Sequence, residues 1–129
     1  MRPGVVETHE LRVDFVPSSQ NARQRMHWRT RSQEDGVIQI FTQQAWSRAG
    51  RPKAHGRPCR VEVTVRLEGR ADDEDNRLAR LKPVFDKLIS LGVLVDDSPT
   101  WCRHSIPTRE PAPRGKGHLL IALHYVEAW

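Results

Sequence analysis

The chain has few of the residues that build disulfide scaffolds, zinc sites or membrane spans. Only two of its 129 residues are cysteine, Cys59 and Cys102. They show no Cys-x-x-Cys spacing and no histidine at zinc-ligand intervals, which argues against a disulfide framework and a structural zinc. They read as small buried apolar residues in a reducing compartment. The longest apolar run, LLIAL at 119–123, is far short of a bilayer span, and the opening MRPGVVETHE lacks the apolar centre of a secretory signal. A soluble, intracellular protein is expected. No internal repeat or low-complexity block is visible.

Negative charge is also in the minority. Twenty-one Lys and Arg face sixteen Asp and Glu, a net charge of +5. Such a field attracts polyanions, so nucleic acid is the natural partner class. The length suits one domain over residues 1–129, small enough that a second subunit would help to bury its apolar surface.

Hydropathy periods give the elements. ELRVDFV (10–16) alternates as a half-buried strand and Pro17 ends it. PSSQNARQRMHWRTR (17–31) is too polar for a core element and reads as an exposed, basic, partly irregular arm. From Ser32 to Arg48, Val37, Ile38, Phe41 and Ala45 line one face of a helix, with Gly50 and Pro52 as stop signals. CRVEVTVRL (59–67) alternates cleanly and is the most secure strand. A second helix carries Leu78, Leu81, Phe85, Leu88 and Ile89; Pro83 either lies in its first turn or follows a short turn and a kink. Gly92 closes it, and VLV (93–95) reads as a short buried strand. WCRHSI and HLLIALHYV are two more strands, separated by the loop PTREPAPRGKG. The expected order, β, α, β, α, β, β, β, describes an α+β domain: a mostly antiparallel sheet with two helices packed on one face.

The scarce carboxylates are not scattered. ADDEDN (71–76) follows the most secure strand, and Asp96–Asp97 follow the next helix and VLV. A helix packed back across the sheet would bring the two loops to one edge. Carboxylates held close repel unless a cation neutralises them, and oxygen ligands without His or Cys favour Mg²⁺ or Mn²⁺. A divalent ion there can activate water and stabilise phosphodiester hydrolysis. An EF-hand does not fit: counting from Asp73, the sixth residue is Leu78, not glycine, and the twelfth is Val84. The alternative is a solvated acidic loop whose charges favour the start of the next helix.

These residues resemble the RusA family of Holliday junction resolvases, small endonucleases of phages and prophages. The matching elements are Asp73-Glu74-Asp75-Asn76, then Lys82-Pro83-Val84-Phe85-Asp86-Lys87-Leu88, Gly92-Val93 and Asp96-Asp97-Ser98. PSSQNARQR resembles the family's early Pro-Ser and Asn segment more weakly, with Asn21 matching. One departure is a short insertion between Asn76 and Lys82, so the lysine is assigned by its four-residue spacing to Asp86.

The resemblance implies a Mg²⁺-dependent (Mn²⁺ is the other option) structure-selective endodeoxyribonuclease of four-way or other branched DNA, in a bacterial or phage-infected cytoplasm, with no small-molecule cofactor. It implies Asp73, Asp75 and Asp97 as catalytic metal ligands, Asp96 as neighbour or alternate ligand, and Lys82 as the residue stabilising charge at the scissile phosphate. An ordinary solvated lysine is the alternative for Lys82. Asn76 reads as a helix cap and Asp86 as structural, paired with a basic neighbour. The family is homodimeric, which suits paired nicks on a two-fold junction.

Arg23, Arg25, Arg29 and Arg31 on the arm, and Arg70 and Arg80 flanking the acidic loop, are the candidate phosphate contacts. Arg109, Arg114 and Lys116 could extend that track. Trp28 either stacks on an unpaired base or, as the better-favoured reading, staples the arm to the core. The histidines show no mutual ligand spacing. Two competing functions are a DNA-binding module of the same fold that does not cut, and a phage accessory protein that binds a protein or RNA partner.

Overall fold

The computed structural model describes residues 4–69 and 74–129, the side chains of Gln20 and residues 74–76 aside. Its elements are β1 (Val5–Val13), α1 (Gln20–Arg25), α2 (Trp28–Arg48), β2 (Cys59–Leu67), α3 (Glu74–Arg80), α4 (Lys82–Ser90), β3 (Cys102–His104), β4 (Thr108–Pro111) and β5 (His118–Val126). The architecture is α+β, as the periodicity predicts.

Strict alternation in β2 and β5 places Cys59, Val61, Val63 and Val65 beside Leu119, Ile121, Leu123 and Tyr125 on one face of the sheet. Leu11 and Val13 of β1 extend that face. It is covered by Ile38 and Ala45 of α2, by Leu81, and by Val84 and Leu88 of α4, which together with the strands form one hydrophobic cluster. α2 packs against both α4 and β1.

The strand order is β1-β5-β2-β3, with β4 also paired to β2. The three long strands pair antiparallel, whereas β3 and β4 run parallel to β2 along the same side, separated by Ser105–Pro107. The sheet is therefore mixed, its long pairings antiparallel and its short ones parallel.

Three expected elements differ. The arm is helical: Ser19 Oγ accepts from the Ala22 amide and starts α1, and α2 begins at Trp28, before the expected Ser32. VLV is not a strand. The Val93 amide donates to the Leu88 carbonyl at 2.9 Å, and the Val93 carbonyl accepts from the buried Tyr125 hydroxyl at 2.8 Å. Val93 and Leu94 are thus buried as the capped end of a helix. Gly92 makes that ending possible at φ +78°, a left-handed conformation that glycine adopts without penalty. Finally, the loop after β3 contains β4.

Pro83 lies in the first turn of α4, where its missing N–H leaves no helical bond unmade. The separate helix α3 precedes it, and the Leu81 amide donates to the Leu78 carbonyl at the junction. No helix among the described residues is long and apolar enough to cross a membrane.

Candidate nucleic-acid and metal-binding site

The basic arm is built on an internal ion pair. Arg23 Nη1 donates to Glu34 Oε2 at 3.1 Å and Nη2 to Asp35 Oδ1 at 2.7 Å. Glu34 Oε1 accepts from the Ser18 amide at 2.6 Å, and the Glu34 side chain is only 8% exposed. Charge-assisted bonds at this burial fix α1 against α2. Arg23 therefore differs from its expected role: its guanidinium is engaged within the protein instead of being presented to phosphate.

Arg25, Arg29 and Arg31 are exposed. Trp28 is 59% exposed, so it does not staple the arm to the core. Its indole carries the Arg29 guanidinium 5.3 Å from the ring centroid and the His27 ring at 5.5 Å. His27 is the N-cap of α2, its Nδ1 accepting from the Arg29 amide at 3.2 Å.

Of the two arginines beside the acidic loop, Arg70 lies outside the described residues, as does Asp73. Arg80 is only 6% exposed, next to the buried Leu81, and so corrects the expectation of a surface phosphate contact. Arg109 also has an internal role, its Nη2 donating to the carbonyls of Leu67, Glu68 and Gly69 where the chain leaves β2. Arg114 and Lys116 are exposed.

Asp75 belongs to α3, and its side chain is not described. Asp96 and Asp97 are exposed neighbours, the Asp97 amide donating to Asp96 Oδ1 at 2.8 Å. The Trp101 and Cys102 amides both donate to the Ser98 carbonyl at 2.9 Å, which holds the segment just after Asp97 at the start of β3; burial, and after it the charge of Asp97, pushes the Cys102 thiol up to about 11.

The parallel crossover changes the expected geometry. Cys102 pairs with Cys59 at one end of β2, whereas the chain leaves β2 beyond Leu67. Nine extended residues span roughly 26 Å, so the segments 68–69 and 96–97 stand at opposite ends of that strand and not at one edge. Among the described residues, no group of three or more His, Cys, Asp or Glu side chains could hold a metal ion. The exposed Asp96–Asp97 oxygens are hard donors of the kind Mg²⁺ takes, one or two carboxylates being enough when water and phosphate complete the shell.

Lys82 opens α4 with its side chain 71% exposed, and its Nζ lies 3.8 Å from Asp86 Oδ1. Asp86 thus has the basic neighbour the sequence suggests. Both line a cleft of about 480 Å³ into which Arg23, Asp35 and Lys87 also bring charged side chains. The cleft joins residues far apart in sequence, and no local motif announces it. The sequence did carry a signal for Glu34, an acid one turn before Ile38 on the buried face of α2.

Compared with known proteins, the chain matches no family model and no curated sequence. The likeness to RusA resolvases rests on the residues themselves.

Proposed function

We propose that the protein is a Mg²⁺-dependent endonuclease of branched DNA, resembling the RusA resolvases in activity. The observation that carries this reading is the ordered pattern Asp73-x-Asp75-Asn76, Lys82 with Asp86, Gly92-Val93 and Asp96-Asp97 on a chain of net charge +5. Exposed arginines on α1 and α2 support it as phosphate contacts, and Arg31 stands one turn of α2 before Asp35, which lines the cleft together with Lys82.

Asp73 and Asp75 beyond the far end of β2, or Asp97 with Asp96 before β3, would hold the ion, since one or two carboxylates are enough when water and phosphate complete its shell; the ion would supply charge neutralisation at phosphate and an activated water. Lys82 stands at an exposed helix start, where its ammonium can meet a phosphate oxygen without first breaking a buried contact. A homodimer would bring two such sites to a two-fold junction.

The test is cleavage of a synthetic four-way junction with and without Mg²⁺, using the wild type and Asp97→Asn. Nicking by the wild type alone, with junction binding retained in the variant, supports the assignment. Equal cutting by both proteins removes Asp97 from the site.

A second reading, a DNA-binding module that does not cut, is favoured by the separation of segments 68–69 and 96–97 at opposite ends of β2. Metal-independent junction binding with no nicking by the wild type would establish it.

A further inference from the structure

We infer that Trp28 is a stacking platform for an unpaired nucleobase of a DNA strand. Between Asp14 and Glu34 the sequence contains four arginines and no acid. In the middle of that segment a tryptophan is left 59% exposed at the start of a 21-residue helix. Indole is the largest apolar side chain, and covering its exposed surface with a planar partner would be strongly favourable.

The neighbours identify the occupant's chemistry. Among the described residues no carboxylate pairs with Arg25, Arg29 or Arg31, whereas Arg23 is neutralised by Glu34 and Asp35. The exposed indole thus has one unneutralised guanidinium against it, that of Arg29 at 5.3 Å from the ring centroid, with Arg25 and Arg31 exposed on the same segment. An apolar protein surface would leave those charges without partners. A nucleotide supplies both complements, a flat π-face for the indole and a phosphate for an arginine.

The platform is also held in place before any ligand arrives. The Arg23–Glu34 pair fixes α1, and the His27 cap fixes the first turn of α2, so the backbone that carries the indole needs little ordering on binding. A base inside a duplex hides its faces in the stack, so the platform selects strands that are single or unpaired, as at the centre of an open junction.

The inference rests on the DNA reading above but does not require cleavage, so its test omits metal. Binding of the whole protein to oligo(dT) of about 12 nucleotides and to a blunt duplex of the same length is measured in EDTA at matched salt. Trp28→Ala is expected to weaken oligo(dT) binding about 5- to 100-fold and duplex binding less than about 2-fold, with Trp28→Phe restoring most of the loss. Arg29→Gln and Arg31→Gln are expected to weaken both ligands and to flatten the salt dependence. Unchanged oligo(dT) binding in Trp28→Ala, equal losses on both ligands, or no oligo(dT) binding by the wild type would each overturn it. Failure of junction cleavage, by contrast, bears only on the nuclease reading.

Discussion

Arg23 and Glu34 form the ion pair that joins the basic arm to the core helix, Nη1 to Oε2 at 3.1 Å, while the other oxygen of Glu34 accepts from the Ser18 amide. Glu34 thus completes the bonding of two donors from a segment that makes few other contacts with α2. Glu34→Ala leaves the Ser18 amide without its acceptor and the Arg23 guanidinium with Asp35 alone, and is expected to cost about 2 kcal/mol in urea unfolding. Removing both partners in Arg23→Ala/Glu34→Ala should cost less than the sum of the single changes, since neither charge is then stranded.

Lys82 should separate stability from activity. Its contact with Asp86 is long and solvent-exposed, so Lys82→Ala is expected to change unfolding free energy by less than about 0.5 kcal/mol. If it serves the scissile phosphate, junction nicking should fall at least about tenfold with junction affinity nearly unchanged. A stable variant that cuts normally would assign Lys82 to the solvated surface.

The two thiols give an alkaline prediction. Burial pushes Cys59 up from 9.0 to about 12, with neighbouring Cys102 adding to the shift, and burial pushes Cys102 to about 11. Above pH 9 the unfolded chain loses these protons while the folded one keeps them, so the folded state binds more protons and its stability falls as pH rises. The contribution is complete below pH 9 and is lost towards 11–12, at about 1.4 kcal/mol per pH unit for each thiol within that window. Melting temperatures of the wild type and Cys59→Ala over pH 8–11 check it, the variant showing the shallower decline.

Tyr125 anchors the segment that leads to Asp96–Asp97. Its fully buried hydroxyl donates to the Val93 carbonyl at 2.8 Å. Tyr125→Phe removes the donor and leaves that carbonyl buried without it, at an expected cost of about 2 kcal/mol in thermal or urea unfolding. Faster amide exchange at Val93 and Leu94 should accompany the loss. Unchanged exchange there would mean that the helix ending at Gly92 holds the segment by itself.

How much of this was legible in the sequence depended on where each residue's hydrogen bonds go. β2 and β5 were readable because both lie inside the sheet and bury every second side chain; α4 was readable from Phe85, Leu88 and Ile89. The outer half of β1 was not, since Val5 and Val6 are exposed at an edge and carry no alternation. VLV misled because a buried apolar triplet looks the same whether its amides join a sheet or cap a helix. The arm misled because Glu34, 11 residues beyond Arg23, supplies the order that its own composition lacks. The carboxylate pattern was plain, but whether its two halves meet depends on strand direction, and no local period encodes that Cys102 runs parallel to Cys59.

The two borders of the sheet are unequal. On one side β3 and β4 are three- and four-residue fragments interrupted at Ser105–Pro107, and β4 ends on a proline that has no amide to donate. On the other, β1 runs nine residues with its outer backbone groups unpaired within the described chain. Among the described residues an incoming strand therefore has one border long enough to receive it, and two copies meeting there would consume each other's free edge. Association of that kind ends at a pair, because no second border remains from which a fibre could grow.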